Sequence, residues 1–237
     1  MRIGWVEQLR RYPVKSMAGE LLSTVDFDAR GVRQDRLWAL RLPDGRLGSG
    51  KTSARFRRVP GIALASARCV GEVPVITLAD GTEHRGDTPE IDSVLSAAFG
   101  TPLGLRRECG SSHFDDGPVH LVSSAAIEHV ERLSGVAVAA ERLRPTVLVR
   151  GRPGAEPGYR HWLGRRVRIG PEVELEVLAP MRRCGMVNNA TRGLPRDNRV
   201  LRAIAQHADL VLGVVAAVVR GGRASTGDEV RLTGNGS

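Results

Sequence analysis

The residue with the most distinctive chemistry is Cys184, which lies in the segment Met181-Arg182-Arg183-Cys184-Gly185. This segment follows an alternating strand that ends at Pro180, so we expect the cysteine on a loop that leaves a strand. Two adjacent arginines disfavour an apolar burial site, and positive neighbours favour the thiolate form that binds metals. A buried, inert cysteine is the alternative. The sequence therefore predicts a reactive or metal-binding thiol.

A second candidate is the turn Tyr12-Pro13-Val14-Lys15-Ser16-Met17, which follows a short strand. Lys15 and Ser16 place a compact ammonium group beside a hydroxyl group, and this pair suits a phosphate. An ordinary exposed turn is the simpler interpretation of so short a motif when it is taken alone.

Two further segments place arginines at the start of predicted strands. In Asp35-Arg36-Leu37-Trp38, an ion pair between Arg36 and Asp35 is the simpler interpretation. In Arg142-Leu143-Arg144-Pro145-Thr146, an extended backbone would point Arg142 and Arg144 to the same side. These two guanidinium groups would then face an anionic ligand, or would protect a strand edge by their charge.

Several other kinds of site are disfavoured. The six histidines show no metal-binding spacing such as H-E-x-x-H. The three cysteines lie far apart, which disfavours a disulfide scaffold, a zinc ribbon and an intrinsic iron–sulfur cluster, and their odd number fits a reducing compartment. The segment Gly48-Ser49-Gly50-Lys51-Thr52 resembles the end of a P-loop, but the required earlier glycine is out of position.

The net charge of +9 comes almost entirely from arginine and favours anionic partners. The basic residues are spread along the chain, which disfavours nucleic-acid binding, and a solvated arginine-rich surface is the alternative. The first residues lack the apolar stretch of a signal peptide, and the apolar run at residues 210–219 is too short to span a bilayer. We expect a cytoplasmic protein with neither a nucleic-acid nor a membrane partner.

These residues must be positioned by a fold rich in strands. A chain of 237 residues can form one large domain or two small ones. Helices are predicted from a cap at Thr88 to Gly100, from Ser123 or Ser124 to Gly135, and at residues 200–208, and a loop is predicted at residues 151–158. Strands do not alternate regularly with helices, so we expect a β-rich α+β fold that is barrel-like, with a few packed helices. About ten strands are predicted, at residues 21–29, 36–42, 62–70, 73–78, 119–122, 147–149, 167–169, 173–178, 210–219 and 229–232.

Taken together, these segments resemble the MOSC family, which is named for the C-terminal domain of molybdenum cofactor sulfurase. Residues 1–98 resemble its N-terminal β-barrel domain, through the Tyr-Pro-Val-Lys-Ser and Asp-Arg-Leu-Trp segments. Residues 99–237 resemble the MOSC domain, through Phe114-Asp115-Asp116-Gly117-Pro118, Arg144-Pro145 and Arg183-Cys184. The resemblance implies a MOSC-type β-barrel with packed helices, joined to an N-terminal β-barrel-like domain.

The resemblance to the amidoxime-reducing members of this family implies a molybdenum cofactor that consists of a pyranopterin and molybdenum. It implies that the Cys184 thiolate binds the metal, and Asp116 is a candidate for handling protons. Pyridoxal phosphate binding is a further property associated with the family. Relatives often carry asparagine where this chain has Thr146, and an acidic, proline-containing stretch where it has residues 187–191. The implied cofactor-binding residues are Lys15, Ser16, Arg36, Ser123, Arg144, Arg182 and Arg183.

The resemblance implies a reductase that removes oxygen from N-hydroxylated or N-oxygenated small molecules. No ferredoxin domain follows the MOSC-like region, so we expect a separate electron-donor protein, either a ferredoxin or a flavin or haem reductase. The alternative is a non-catalytic carrier that holds the cofactor, or a sulfur atom on Cys184, for delivery to another enzyme. A nucleic-acid-binding module is a third possibility that rests on the net charge alone.

Overall fold

The computed structural model describes residues 1–151 and 159–235, so residues 152–158 of the predicted loop lie outside the described part. The helices are α1 (Ile91–Phe99), α2 (Ser124–Ser134), α3 (Ala140–Leu143) and α4 (Arg199–Ala208), with 3₁₀ turns at Ile62–Leu64, Arg160–Trp162 and Gly185–Asn188. The strands are β1 (Arg2–Arg11), β2 (Glu20–Leu22), β3 (Thr24–Asp28), β4 (Gly31–Val32), β5 (Trp38–Arg41), β6 (Leu47–Ser49), β7 (Phe56–Arg58), β8 (Ser66–Val70), β9 (Val73–Thr77), β10 (Glu83–Arg85), β11 (Gly104–Arg107), β12 (Val119–Ser123), β13 (Val147–Gly151), β14 (Arg165–Ile169), β15 (Val173–Arg182), β16 (Val211–Arg220), β17 (Gly222–Ser225) and β18 (Glu229–Asn235).

Seven strands close into a barrel in the order β13-β12-β16-β15-β14-β18-β1, and β1 pairs back onto β13. Strands β12 and β13 are parallel, while the other neighbours in the ring are antiparallel. Alternate residues of each strand face the interior, as in β15, where Val173, Leu175 and Val177 are buried and the two glutamates between them are partly exposed. The β-rich, barrel-type fold predicted from the sequence is confirmed.

A smaller body packs beside the barrel. It consists of the sheets β10-β9-β8 and β11-β5-β6-β7 together with helix α1. Its own core includes Met17, Leu40, Ile76 and Leu95, all fully buried. Strand pairing crosses the predicted boundary between residues 98 and 99 in both directions, because β1 belongs to the barrel and β11 pairs with β5. The turn that follows β1 therefore joins the two cores.

Helices α2 and α4 cover one side of the barrel with a third cluster of aliphatic side chains. Helices α1 and α2 both end at a glycine with left-handed backbone, Gly100 (φ 63°) and Gly135 (φ 66°), as the sequence predicted. Helix α1 starts at Ile91, after Glu90, so the predicted cap at Thr88 is wrong. No helix within residues 1–151 and 159–235 combines the length and apolar character needed to cross a membrane.

Two other local predictions are corrected by the structure. The segment that contains Arg142 and Arg144 is not extended, because Arg142 lies in the short helix α3 and Arg144 has a left-handed backbone (φ 52°). Strand β15 does not end at Pro180 but continues to Arg182 through irregular pairing, where a proline is tolerated. Several strands of two to four residues, including β4, β6 and β7, were not predicted because such short segments show no period.

Truncation of a side chain inside the barrel should destabilise the fold far more than the same change on its outer surface. Leu175 is fully buried and Leu178 is 53% exposed, and both belong to β15. We expect Leu175→Ala to lower the free energy of unfolding by about 2–5 kcal/mol. Leu178→Ala should lower it by less than about 0.5 kcal/mol. Urea unfolding followed by circular dichroism measures both, and equal losses would contradict the barrel interior described above.

Candidate functional site

A cavity of about 370 Å³ lies where the barrel meets the smaller body. This volume is within the range of small-molecule sites. Five segments that are distant in sequence form most of its wall: residues 15–16, 49–51, 113–117, 142–144 and 181–187. Arg36, His120 and Val215 complete it. The fold therefore brings most of the predicted site together. The predicted site residues that line the cavity are Lys15, Ser16, Arg36, Asp116, Arg144, Arg182, Arg183 and Cys184.

Ser123 is placed elsewhere. It is the last residue of β12 and precedes helix α2, where its side chain makes no capping hydrogen bond. His120 on the same strand does line the cavity. Ser123 lies three positions farther along the strand than His120, which corresponds to about 10 Å. Ser123 is therefore left out of the candidate site.

Backbone strain is concentrated at the cavity. Among the described residues, six that are not glycine have positive φ, and three of them line the cavity: Ser16 (68°), Arg36 (49°) and Arg144 (52°). Residues other than glycine are sterically strained at positive φ, and contacts in the surrounding structure must compensate for this strain. Strain of this kind clusters at binding and catalytic sites, so the three angles support a functional role for this cavity.

Two cationic side chains are held over one aromatic ring. The guanidinium groups of Arg36 and Arg144 lie 4.5 and 4.3 Å from the ring centroid of buried Tyr12, and each such contact contributes about 0.5–2 kcal/mol. Arg36 also pairs with Asp35, as the sequence suggested, and Arg144 Nη1 donates to the carbonyl of Met17 at 2.7 Å. Burial lowers the pKa of Arg144 to about 10, so it remains protonated at neutral pH. Both cations are thus fixed beside the cavity.

A second pair of cations shares one carboxylate. Lys15 Nζ donates to the carbonyl of His113 at 2.8 Å and to Asp115 Oδ1, while Lys51 Nζ lies 2.9 Å from Asp115 Oδ2. Burial lowers the pKa of Lys15 from 10.5 to about 8, although Asp115 opposes this shift. Burial acts to raise the pKa of Asp115, but the two lysines outweigh it and hold that pKa below its ordinary value. The ion pairs therefore persist at neutral pH.

Lys51 and Asp115 were not predicted as site residues. One signal was available in the sequence, since Lys15 and Lys51 are the chain's only two lysines among many arginines. Both contact Phe56, with Nζ 4.4 and 5.2 Å from the ring centroid. The convergence of both lysines on one carboxylate marks this corner of the cavity as a specialised cationic site.

Arg183 lines the cavity, but its guanidinium group faces the protein. Nε donates to the carbonyl of Leu212 at 2.9 Å, Nη1 donates to that of Leu143 at 2.8 Å, and Nη2 contacts His120 Nε2. Burial, followed by the charge of Arg183, lowers the pKa of His120 well below its ordinary value. Neutral His120 accepts from Arg183 at Nε2 and donates from Nδ1 to the Arg144 carbonyl. Arg183 thus orders the backbone on both sides of the cavity.

Arg142 has a similar supporting role. Its guanidinium group donates to the carbonyls of Val187, Asn189 and Pro195. These carbonyls belong to the segment that follows Cys184. Arg142 therefore holds this segment against helix α3 instead of reaching toward a ligand beside Arg144.

Cys184 and Arg182 are exposed in the cavity wall, as are Asp115 and Asp116. Cys184 lies two residues after the end of β15, on the predicted loop, and its carbonyl accepts from the amide of Val187 at 3.2 Å. Within the described part of the chain, the Arg182 side chain makes no ion pair or hydrogen bond. No group of three or more His, Cys, Asp or Glu residues among the described residues is arranged to hold a metal ion. All three cysteines are free thiols. Burial raises the pKa of Cys69 to about 11. Cys109 is exposed and does not line the cavity.

The cavity is therefore strongly cationic and carries one accessible thiol. Its wall also contains two acidic residues, Asp115 and Asp116. Fixed ammonium and guanidinium groups suit a phosphate or another oxyanion, and a thiol suits a soft metal ion. The seven basic residues of the wall are Lys15, Arg36, Lys51, Arg142, Arg144, Arg182 and Arg183.

Comparisons with known proteins extend over the whole fold. Residues 3–94 match the model of the MOSC N-terminal beta barrel domain, and residues 93–231 match that of the MOSC domain. No curated protein matches the chain. The solved YUAD protein of Bacillus subtilis is 18% identical with a TM-score of 0.53, over 96% of this chain and 93% of that one. YiiM of Geobacillus stearothermophilus is 15% identical with a TM-score of 0.36, over 49% and 54% of the two chains. The likeness to YUAD concerns the fold alone.

The protonation of the two lysines is directly measurable. A sample labelled at the lysine ε-carbons gives two NMR signals, and Lys51→Gln assigns the one that remains to Lys15. We expect Lys15 to lose its proton near pH 8, because burial lowers its pKa. We expect the pKa of Lys51 to lie above its ordinary value, because the interaction with Asp115 outweighs the lowering effect of burial. The Lys15 cation is then lost as the pH rises through 8, so anion binding should weaken above that pH. Two signals that titrate together near the ordinary value would contradict this assignment.

The adjacent arginines should differ in their effect on stability. Arg183→Met leaves buried carbonyls and His120 without a donor, so we expect the free energy of unfolding to fall by about 3 kcal/mol or more. Arg182→Met removes an exposed side chain and should change it by less than about 0.5 kcal/mol. Chemical denaturation of the two variants makes the comparison. Comparable losses would show that Arg183 does not support the fold in the way described.

Proposed function

Since this chain belongs to the MOSC family, we propose that its cavity binds a molybdenum cofactor and that the loaded protein reduces N-hydroxylated or N-oxygenated small molecules. Membership of this family is consistent with a molybdenum-cofactor-associated function. One observation carries the proposal: the fold gathers Lys15, Arg36, Arg144 and Cys184 from distant segments into one cavity. An anionic pterin and a thiolate-bound metal require such a combination.

The chemistry of the cavity fits this cofactor. Lys15, Ser16, Arg36 and Arg144 would hold the pterin and its phosphate, because fixed ammonium, guanidinium and hydroxyl groups bind phosphate oxygens. His113 lines the same cavity and leaves Nε2 buried without a hydrogen-bond partner in the described structure, so an N–H group of the pterin would satisfy it. Pyridoxal phosphate fits less well, because it needs a lysine amine free of ion pairs and both lysines pair with Asp115.

The residues around Cys184 would control the reaction. The cofactor supplies the two-electron chemistry when it is bound, and the protein supplies orientation and charge. Cys184 would bind the metal through its thiolate, and Arg182 would attract an anionic or polar substrate to the cavity mouth. Reduction of an N-hydroxyl group consumes two electrons and two protons and releases the amine and water. Asp116, in the cavity wall, is the residue we propose for handling one of these protons.

The electrons would come from a separate protein, such as a ferredoxin or a flavin or haem reductase. Exposure of Cys184 at the cavity wall supports this arrangement, because a metal held by its thiolate would be accessible from the surface. The net charge of +9 would attract an acidic donor protein.

Exposure of Cys184 also favours a second candidate function. An accessible thiol beside cations can carry a sulfur atom, or hold a cofactor loosely enough to pass it on. A carrier of this kind would transfer the cofactor to an apo-enzyme and would show no turnover with N-oxygenated compounds. Transfer and turnover assays on the same sample distinguish the two functions.

Replacement of Cys184 tests the proposed metal ligand. We expect the purified chain to contain molybdenum and to give pterin fluorescence after oxidation, and Cys184→Ala to lose most of the metal. Hydroxylamine reduction with a chemical electron donor should fall at least about 100-fold. Cys109→Ala, at an exposed cysteine outside the cavity, is the matched control and should retain both metal and activity. Unchanged metal content and activity in Cys184→Ala would refute the reductase proposal.

A further inference from the structure

The cavity contains an acidic residue whose carboxylate is positioned like a ligand. We propose that Lys15 and Lys51 form a subsite for a phosphate monoester dianion, and that Asp115 fills this subsite until the ligand displaces it. The inference rests on the proposed function in one respect, since the cofactor carries such a phosphate. It adds Lys51 as a binding residue and Asp115 as an internal competitor.

The geometry of the two lysines is that of an anion site. Their ammonium groups contact different oxygens of the same carboxylate, Oδ1 for Lys15 and Oδ2 for Lys51. A phosphate presents several oxygens to two cations in the same way. The chain has no other lysine, although arginine is abundant, so two compact ammonium groups meet only at this carboxylate. Lysine binds phosphate as a compact point charge, so two ammonium groups can approach different oxygens of one anion.

The turn that carries Lys51 is fitted closely to the cavity wall. Ser16 Oγ donates to Ser49 Oγ at 3.3 Å, which ties this turn to the residue that follows Lys15. A Cβ atom at Gly50 would lie 2.3 Å from Met186 Sδ, so this turn packs directly against the flexible side chain of Met186 in the segment after Cys184. The P-loop-like segment thus packs against the cavity wall and places Lys51 at the cavity, without being a P-loop.

A buried ammonium group explains why an internal anion is needed. Lys15 is only 5% exposed, and a buried cation without a counter-ion is strongly destabilising. Asp115 supplies that counter-ion in the chain alone. Its side chain is about one-third exposed, and within the described part of the chain its carboxylate contacts only the two lysines, so it can move out toward solvent.

A phosphate monoester should displace the carboxylate. A carboxylate carries one negative charge, whereas a phosphate monoester carries about −1.5 to −2 at neutral pH. The dianion can therefore neutralise both ammonium groups, which Asp115 alone cannot do. Displacement then leaves Asp115 hydrated and no buried charge unpaired.

Inorganic phosphate tests the subsite directly. The full chain, labelled at its two lysines, is titrated at about pH 7, where Lys15 is mostly protonated and a large share of the phosphate is dianionic. Both lysine signals should shift together with one saturation curve. Asp115→Asn should tighten phosphate binding about tenfold, and Lys51→Gln should weaken it about tenfold. Asp44→Asn is the matched control, because Asp44 also pairs with two basic side chains, Arg46 and Arg57, and should stay within about twofold of the original chain.

The outcomes separate this inference from the proposed function. Weaker or unchanged phosphate binding by Asp115→Asn, or shifts that do not saturate, would overturn it. If phosphate binds as expected but the purified chain contains no molybdenum or pterin, the subsite stands and the cofactor proposal fails. The same phosphate titration of cofactor-loaded chain identifies the occupant. If the lysine signals no longer shift, the cofactor's own phosphate fills the subsite. If they shift as in the cofactor-free chain, free phosphate fills it.

Discussion

Each cation buried beside the cavity must have a partner inside the protein, and this requirement organises the site. Lys15 is paired with Asp115, Arg36 with Asp35, and Arg183 with backbone carbonyls and His120. A buried charge without such a partner would cost more than the fold can tolerate. The cavity therefore keeps its positive charge only because different groups satisfy different cations. Carbonyl and histidine acceptors bind Arg142 and Arg183, which support the fold. A carboxylate or an aromatic ring also contacts Lys15, Arg36 and Arg144.

This division of roles separates the arginines that a sequence motif treats alike. Arg182 and Arg183 are neighbours, yet one side chain is exposed and the other is buried against Leu143 and Leu212. Arg142 and Arg144 are two residues apart, yet Arg142 binds the carbonyls of the segment after Cys184. In both pairs, one member orders the backbone that carries the other functional groups. The barrel supplies a rigid support for this arrangement, since its closed ring has no free edge at the cavity.

Much of this arrangement was accessible from the sequence. The period of most longer strands, the glycine ends of α1 and α2, and the convergence of Lys15, Arg36, Arg144 and Cys184 were predicted correctly. Strand β1 was expected only as a short strand, and residues 62–64 form a 3₁₀ turn where a strand was predicted. The errors have local causes. An extended backbone was assumed for Arg144, but contacts with Tyr12 and Met17 stabilise a left-handed conformation that arginine rarely adopts. Lys51 was missed because its neighbours in space, Asp115 and Lys15, are distant in sequence.

The position of β1 also determines the order in which the molecule can be assembled. The first strand closes the ring against β13 and β18, so its partners are synthesised more than a hundred residues later. Such non-local pairing slows folding, because the entropy cost of closing a long loop comes before the stabilising contacts form. The ring cannot close before β18 has been synthesised, and the turn of Lys15 leaves that same first strand. The anion site therefore forms only after the last strand of the ring is in place, and any prosthetic group must load after that step.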